Sequence, residues 1–285
     1  MALADPPLAP GKMEKPDLAS ADSSPFAVFT VEQWTAAINK AIVQQAPCLA
    51  ATGYLAGPWN SYSRPVVLTF PDKVNRMVKG RQAGGRALFN DQVIGRLGKQ
   101  IAAPVPDVCV ATLPQSLIDI EPKVAHMPAG SCHACTFFDN YSDRMGVAHH
   151  DLPGNRTGLA KLAILYGWVY ASDPQLIYRN APPRTLLSVD HGHFLGDGPN
   201  WTPEVLAGRP APTPHPWIVD GAKLTPEELK AAAEALRLTT NQALCDAIGS
   251  APVEWDVPIS ERVALGVYLA KRRLELLNHF NISVS

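Results

Sequence analysis

Twenty-seven of the 285 residues are proline, well above the roughly 5% of average usage. Each one removes a backbone donor and fixes φ, so helices and central strands have to form between prolines and not through them. Seven crowd into residues 199–226, which marks that segment as a loop or linker. The stretches on either side carry the folding signal. With 46% hydrophobic residues over 285 positions, the chain can bury the core of one large domain or two small ones.

Composition narrows the function classes. Lys plus Arg is 25 against 26 Asp plus Glu, a net charge of -1, so there is no broad positive field for a phosphate backbone and general nucleic-acid binding is not expected. The most apolar stretch, Leu159 to Ala171, contains Lys161 and falls short of the roughly 18 to 20 residues that a membrane-spanning helix needs, so no membrane association is expected. The start of the chain, MALADPPLAPGKMEKPDLASADSSP, lacks the basic opening and apolar run of a secretory signal, and residues 1–29 read as a flexible Pro/Ala/Ser-rich leader. Five cysteines, an odd number spread over a long chain, fit free thiols in a reducing cytoplasm. Cys48, Cys109 and Cys245 read as small core residues.

Periodicity then places the elements. Thr30-Val31-Glu32-Gln33 has capping-box spacing, and Trp34, Ile38 and Ile42 follow at helical intervals, predicting a helix over 31–45. Residues 65–70 and 76–79 read as antiparallel strands around a turn at Pro71-Asp72. Leu88, Asp91, Ile94 and Leu97 share one face of a helix over 86–100, and 105–112 reads as a strand entered through Pro104-Val105-Pro106. Leu159, Leu162, Ala163, Tyr166 and Tyr170 form the apolar stripe of a buried helix. It runs into Ser172-Asp173-Pro174, and a strand over 186–189 delivers Asp190 at its end. Thr225-Pro226-Glu227-Glu228 opens a helix through about residue 237. A last helix starts after Pro258 with Ser260 as its cap. Val263, Val267, Ala270, Leu274 and Leu277 form its apolar side, and Lys271, Arg272 and Arg273 lie where positive charge suits the dipole.

The chemistry-bearing residues form an ordered set: a strand lysine at 79, an acid at 91 in the next helix, Asp173 after a buried helix, and Asp190 after a strand. Phosphoryl transfer of the protein kinase type uses such parts in this order. The local wording adds to that. Arg76-Met77-Val78-Lys79-Gly80, then Leu88-Phe89-Asn90-Asp91, then Pro104-Val105-Pro106 resemble the small lobe of the HipA-like kinases, in which a strand ending in V-K precedes an L-x-N-E helix and a vPvP strand entry. Asn155-Arg156, Gly167-Trp168-Val169, the Asp173 loop and Val189-Asp190-His191-Gly192-His193 resemble the large lobe of the same family. The resemblance spans residues 50–200 and implies an α+β, two-lobed protein kinase-like fold. Residues 30–115 would form the β-rich small lobe with a leading helix, and 116–285 a mainly helical large lobe.

It further implies ATP and magnesium as cofactors and a protein Ser/Thr hydroxyl as acceptor. Some relatives are toxins paired with an antitoxin, which makes an antitoxin-type protein a partner to consider. On this resemblance Lys79 contacts the phosphates, Asp91 stands for the helix Glu, Asp173 is the catalytic Asp and Asp190 the metal Asp. Two positions depart from the family pattern. Tyr178 occupies the place of the metal-binding Asn, with Asn180 two residues on as a substitute ligand, and Asp91 is one methylene shorter than Glu, which weakens a lysine pair unless the helix sits closer. These departures make a weak or inactive pseudokinase, acting as a nucleotide-gated or protein-binding module, the alternative reading.

Other patterns compete. Cys132-His133-Ala134-Cys135 with His149-His150 has ligand types that zinc accepts, although a single CxxC is a weak signal and the bland reading is ordinary thiols on a loop. Asp190-His191-Gly192-His193 could serve a metal hydrolase but lacks the i, i+4 histidine pair used by many zinc enzymes. The sequence has neither G-x-S-x-G nor G-x-x-x-x-G-K-[ST]. It has no G-x-G-x-x-G before Lys79 either, and Gly53-Tyr54-Leu55-Ala56-Gly57 is the stretch placed to cover phosphates.

Overall fold

A computed structural model of the chain describes residues 26–46, 48–143 and 146–284. In chain order the elements are α1 (Val31–Val43), β1 (Leu49–Ala50), β2 (Gly53–Ala56), β3 (Val66–Thr69), β4 (Arg76–Lys79), α2 (Gly85–Gln100), β5 (Val108–Leu113), α3 (Gln115–Ile120) and β6 (Gly130–Thr136). They continue with β7 (Tyr141–Ser142), α4 (Pro153–Val169), β8 (Gln175–Arg179), β9 (Leu186–Val189), α5 (Pro203–Ala207), α6 (Pro216–Ala222), α7 (Pro226–Ala233), α8 (Asn241–Gly249) and α9 (Ile259–His279). The architecture is α+β, with a β-rich N-terminal region and a mainly helical remainder. No helix among the described residues is long and apolar enough to cross a membrane.

The six-stranded sheet has the order β1-β5-β6-β4-β3-β2, with β1 parallel to β5 and the other neighbours antiparallel. Strand alternation sorts its side chains. Val66, Leu68, Val78, Cys132 and Ala134 point to one face and pack with Leu117, Val124 and Met127 in a core of their own. The opposite face receives Lys79 and His133, which are partners in register, and is covered by α2. That helix approaches closely because a Cβ at Gly95 would stand 2.6 Å from a methyl of Val108. With the sheet on one side and α8 on the other, α2 is buried from Leu88 to Gly98 except at Arg96, rather than along the one apolar face expected from its sequence.

The second core forms around α4, which packs against α6, α7 and α9, while α8 and α9 pack with α1. Arg262 and Arg272 are buried in α9 and spend their guanidinium donors on backbone carbonyls: Arg262 on Val257, Ala251 and Pro252, and Arg272 on Trp168, Gly167 and Pro210. Burial pulls the Arg262 pKa down to about 10. Arg273 is buried as well, so these arginines tie the carboxyl-terminal helix to the core and do not face water along it.

Several expected features are placed differently. The division at residue 115 cuts through the sheet, because β6 is inserted between β5 and β4. The leading helix α1 belongs with the carboxyl-terminal helices and not with the sheet. Most of the expected leader, residues 1–25, lies outside the described residues, whereas 26–29 is anchored: Asn241 Nδ2 donates to the Ala27 carbonyl at 2.6 Å and Phe26 lies under Arg273. The proline-rich segment is not a plain linker, since Pro203, Pro216 and Pro226 each occupy the first turn of a helix, where a missing N–H costs nothing. The mainly helical portion also holds a small sheet, β7-β8-β9. Ser260 lies inside α9, whose cap position is Pro258. Of the cysteines assigned to the core, Cys245 is buried, Cys109 half-buried and Cys48 exposed.

Candidate functional site

Three elements converge on one ammonium group. Lys79, the last residue of β4, projects from the face opposite Val78 and donates to Asp91 Oδ2 at 2.9 Å and to Asp190 Oδ1 at 2.5 Å. Asp91 comes from the middle of α2. Asp190 follows β9 in a left-handed conformation, φ +58°, which Asp adopts more readily than most residues. The other Asp91 oxygen accepts the backbone N–H of His191 at 2.6 Å, so one buried carboxylate holds both the lysine and the residue after Asp190. The short side chain reaches because the His191-Gly192 loop presses onto α2: a Cβ at Gly192 would lie 3.3 Å from Asp91 Oδ2 and from the Ala87 carbonyl. The helix therefore sits close enough for an aspartate.

Asn90, the neighbour of Asp91 in the Leu88-Phe89-Asn90-Asp91 stretch, fastens the same loop. Its Nδ2 donates to the carbonyls of Gly192 (2.9 Å), Gly198 (3.2 Å) and Phe194 (3.4 Å), and its Oδ1 accepts from Trp201 Nε1 at 2.9 Å. The available signal was a fully polar Asn-Asp-Gln triplet inside an otherwise apolar helix, which is costly to bury unless each member finds partners. Gln92 completes the triplet by meeting His133 Nδ1 at 3.2 Å. Below Asp190, His191 Nε2 meets Ser188 Oγ at 2.8 Å, and Ser188 Oγ meets the Tyr166 hydroxyl at 2.6 Å.

The electrostatics follow from this packing. Burial alone would depress Lys79, but the carboxylates of Asp91 and Asp190 more than offset it and hold the ammonium above its ordinary pKa. Burial would raise Asp91, and the charge of Lys79, with the nearby His133 and His191, instead holds it below the usual carboxylate range. Burial pushes His191 and His133 down to about 4, against the pull of Asp91, so both imidazoles are neutral at pH 7. Between pH 6.5 and 4 the unfolded chain binds more protons at these two positions than the folded one, so stability is full above 6.5 and is lost as the pH falls through this window. The expected loss is about 3 kcal/mol per imidazole, at 1.36 kcal/mol per pH unit. Urea unfolding midpoints at pH 7 and pH 4.5 measure it, and equal midpoints would overturn the placement.

The remaining sequence candidates fall in different places. Asp173 is exposed, with φ +53°. Because Gln175 pairs with Val189, Asp173 and Asp190 lie at the same end of the β8–β9 hairpin, and Ser172 Oγ donates to the His193 carbonyl at 2.5 Å across that end. Asn180 lies past the other end of the hairpin, its N–H on the Asn140 carbonyl at 2.7 Å, so the strand length separates it from Asp190 and the two form no common metal site. Tyr178 is fully buried, its hydroxyl accepting the Ala148 N–H at 3.0 Å and its ring edge-on to His149. It is a core residue and presents no ligand. Gly53–Ala56 is the edge strand β2 itself, and the following hairpin loop is tethered by Gln82 Nε2 on the Ser63 carbonyl at 2.9 Å.

Cys132 and Cys135 lie in a central strand and not on a loop. Their spacing sends them to opposite faces, and burial pushes both thiols up to about 12. A zinc chelate from this pair is therefore not formed. His193 is exposed while His191 is buried, so the two histidines do not converge as a hydrolase pair. Among the described residues no three or more His, Cys, Asp or Glu side chains form a group that could hold a metal ion.

No protein-family model and no curated protein matches this chain. Among solved structures, the crystal structure of the golgi casein kinase aligns with 89% of this chain and 78% of that chain, at a TM-score of 0.43 and 10% identity. Those values are too low to transfer roles to individual residues.

Proposed function

We propose that this chain is an ATP-dependent phosphoryl transferase of protein kinase type, similar to the HipA-like kinases, acting on a protein Ser/Thr hydroxyl in the cytoplasm. The observation that supports it is the joint contact of Lys79 with Asp91 and Asp190, a strand lysine held by a helix carboxylate beside an acid at a strand end. An antitoxin-type protein is the partner this reading suggests.

The donor set fits a magnesium ion that arrives with nucleotide better than a resident one. Asp190 is the partly open member of the cluster, its side chain 37% exposed with only Oδ1 on Lys79, and magnesium bound through nucleotide phosphates needs only one or two protein carboxylates. When bound, it would neutralise charge on the phosphate oxygens. Lys79, fixed as an ammonium by Asp91, would contact the phosphates, and Asp173 at the open end of the hairpin would orient the acceptor hydroxyl.

A second reading rests on Tyr178. The position expected to supply a metal-binding Asn is a packed phenol, which favours a pseudokinase that binds nucleotide or a protein partner without turnover. Thermal-shift titration with ATP, with and without magnesium, on wild type, Lys79→Ala and Asp190→Asn tests both readings, because a ligand of the native state raises the apparent melting temperature by mass action. The transferase reading expects a magnesium-dependent shift in wild type that both variants lose, together with phosphoryl transfer that Asp190→Asn abolishes. An equal shift with and without magnesium supports the pseudokinase, and no shift with ATP overturns nucleotide binding altogether.

A further inference from the structure

A groove of about 660 Å³ runs between α1, α5 and α9, lined by Val31, Leu206, Val263 and Val267 and also by Arg209 and Tyr268. Val31 and Val267 are 61% and 46% exposed, although both belong to helices that bury apolar residues elsewhere. The Arg209 and Tyr268 pair is unusual. Arg209 lies 5.0 Å over the ring of Tyr170 and is held against the backbone at Gly196, where a Cβ would collide with its Nε. Among the described residues its guanidinium has no carboxylate within salt-bridge distance, and its Nε is buried without a partner. The Tyr268 side chain beside it belongs to a residue only 8% exposed, and its hydroxyl is likewise unpartnered among the described residues.

The neighbouring charges do not fill this gap. Arg272 lies 5.1 Å over Tyr268 but donates to three backbone carbonyls, and Glu275 at the rim faces Lys271 at 3.6 Å. A guanidinium fixed by stacking with its buried Nε unpartnered, next to a buried hydroxyl without an acceptor, is a preformed site for an anion, since a carboxylate can accept from both. The rest of the lining is mostly apolar, with Thr35, Ser260 and Lys271 among its polar members, and its volume lies within the range typical of small-ligand sites.

We propose that this groove binds a single-chain amphiphile with a carboxylate head, the head on Arg209 and Tyr268 and the alkyl tail between α1, α5 and α9. The site is separate from the Lys79 cluster and does not rest on the phosphoryl-transfer reading. Isothermal titration of the full chain with decanoate, kept below its micellar range, tests it. One saturable site is expected, with decanol and decyltrimethylammonium binding at least about tenfold more weakly, the scale of one lost charge-assisted hydrogen bond. Arg209→Met, which keeps an apolar stem on Tyr170, is expected to bring decanoate down to the level of decanol. Val267→Asp, a surface change that leaves the fold intact, is expected to abolish binding by placing a negative charge in the tail channel. Decanol binding as tightly as decanoate, unchanged binding in Arg209→Met, or no saturable site in wild type would each overturn the proposal. So would binding that appears only after residues 1–25 are removed, which would assign the groove to the chain's own amino-terminal segment.

Discussion

Lys79→Met is expected to destabilise the fold by about 3 to 5 kcal/mol, the cost of removing one partner from a buried ion pair. The side chains of Lys79 and Asp91 are 11% and 4% exposed, so methionine would leave the Asp91 carboxylate surrounded by protein, with the His191 N–H and two imidazoles that are neutral at pH 7 in place of a full positive charge. Adding Asp91→Asn is expected to recover part of the loss, because a neutral amide no longer needs the cation, although it still gives up the bond to His191. Asp190→Asn alone is expected to cost about 1 kcal/mol or less, since that carboxylate is more than one third exposed and its attraction to Lys79 is screened. Urea unfolding of the single and double variants separates these terms. Strictly additive costs for Lys79→Met and Asp91→Asn would overturn the pairing. The asymmetry matters for function: Asp91 is tied into the core, whereas Asp190 can leave Lys79 at little cost and is therefore the acid able to exchange partners.

The pieces of this cluster were legible as local patterns. The capping box of α1, the β3 and β4 strands on either side of the Pro71-Asp72 turn, and the apolar run before Asp190 depend on neighbours a few residues away, and the structure has them where the pattern puts them. What the sequence hid depends on distant partners. β6 was obscured because Gly-Ser-Cys-His-Ala-Cys-Thr is small and polar, and a cysteine pair inside it suggested metal, whereas its burial comes from being flanked by β4 and β5. α2 looked amphipathic but is enclosed by the sheet and α8, and its polar residues are acceptable only because loops around residues 192–201 come back to meet them. Arg272 and Arg273 read as a dipole-complementing surface charge because nothing nearby in sequence shows the carbonyls that Arg272 meets. The proline-rich segment misled in the opposite sense, since proline at the first helical position starts a helix as readily as proline elsewhere ends one.

Asn90→Asp should reveal whether that return loop is what keeps Asp190 in place. The change is isosteric, but it replaces a donor facing three carbonyl oxygens with an acceptor, in a side chain that is fully buried. Repulsion from those carbonyls and the burial of a carboxylate without a cation are together expected to cost about 4 kcal/mol or more, at the high end for a single substitution. Trp201→Phe, which removes only the indole N–H from Asn90 Oδ1 and some ring surface, is expected to cost less. The distinguishing signature is local. Amide hydrogen exchange in residues 191–201 should accelerate by more than the global loss of stability accounts for, and any magnesium-dependent nucleotide response should weaken although Lys79, Asp91 and Asp190 are all present. Exchange in 191–201 that rises only in step with global unfolding would mean that Asn90 supports the fold at large, and that the Asp91 bond to the His191 N–H alone sets the position of Asp190.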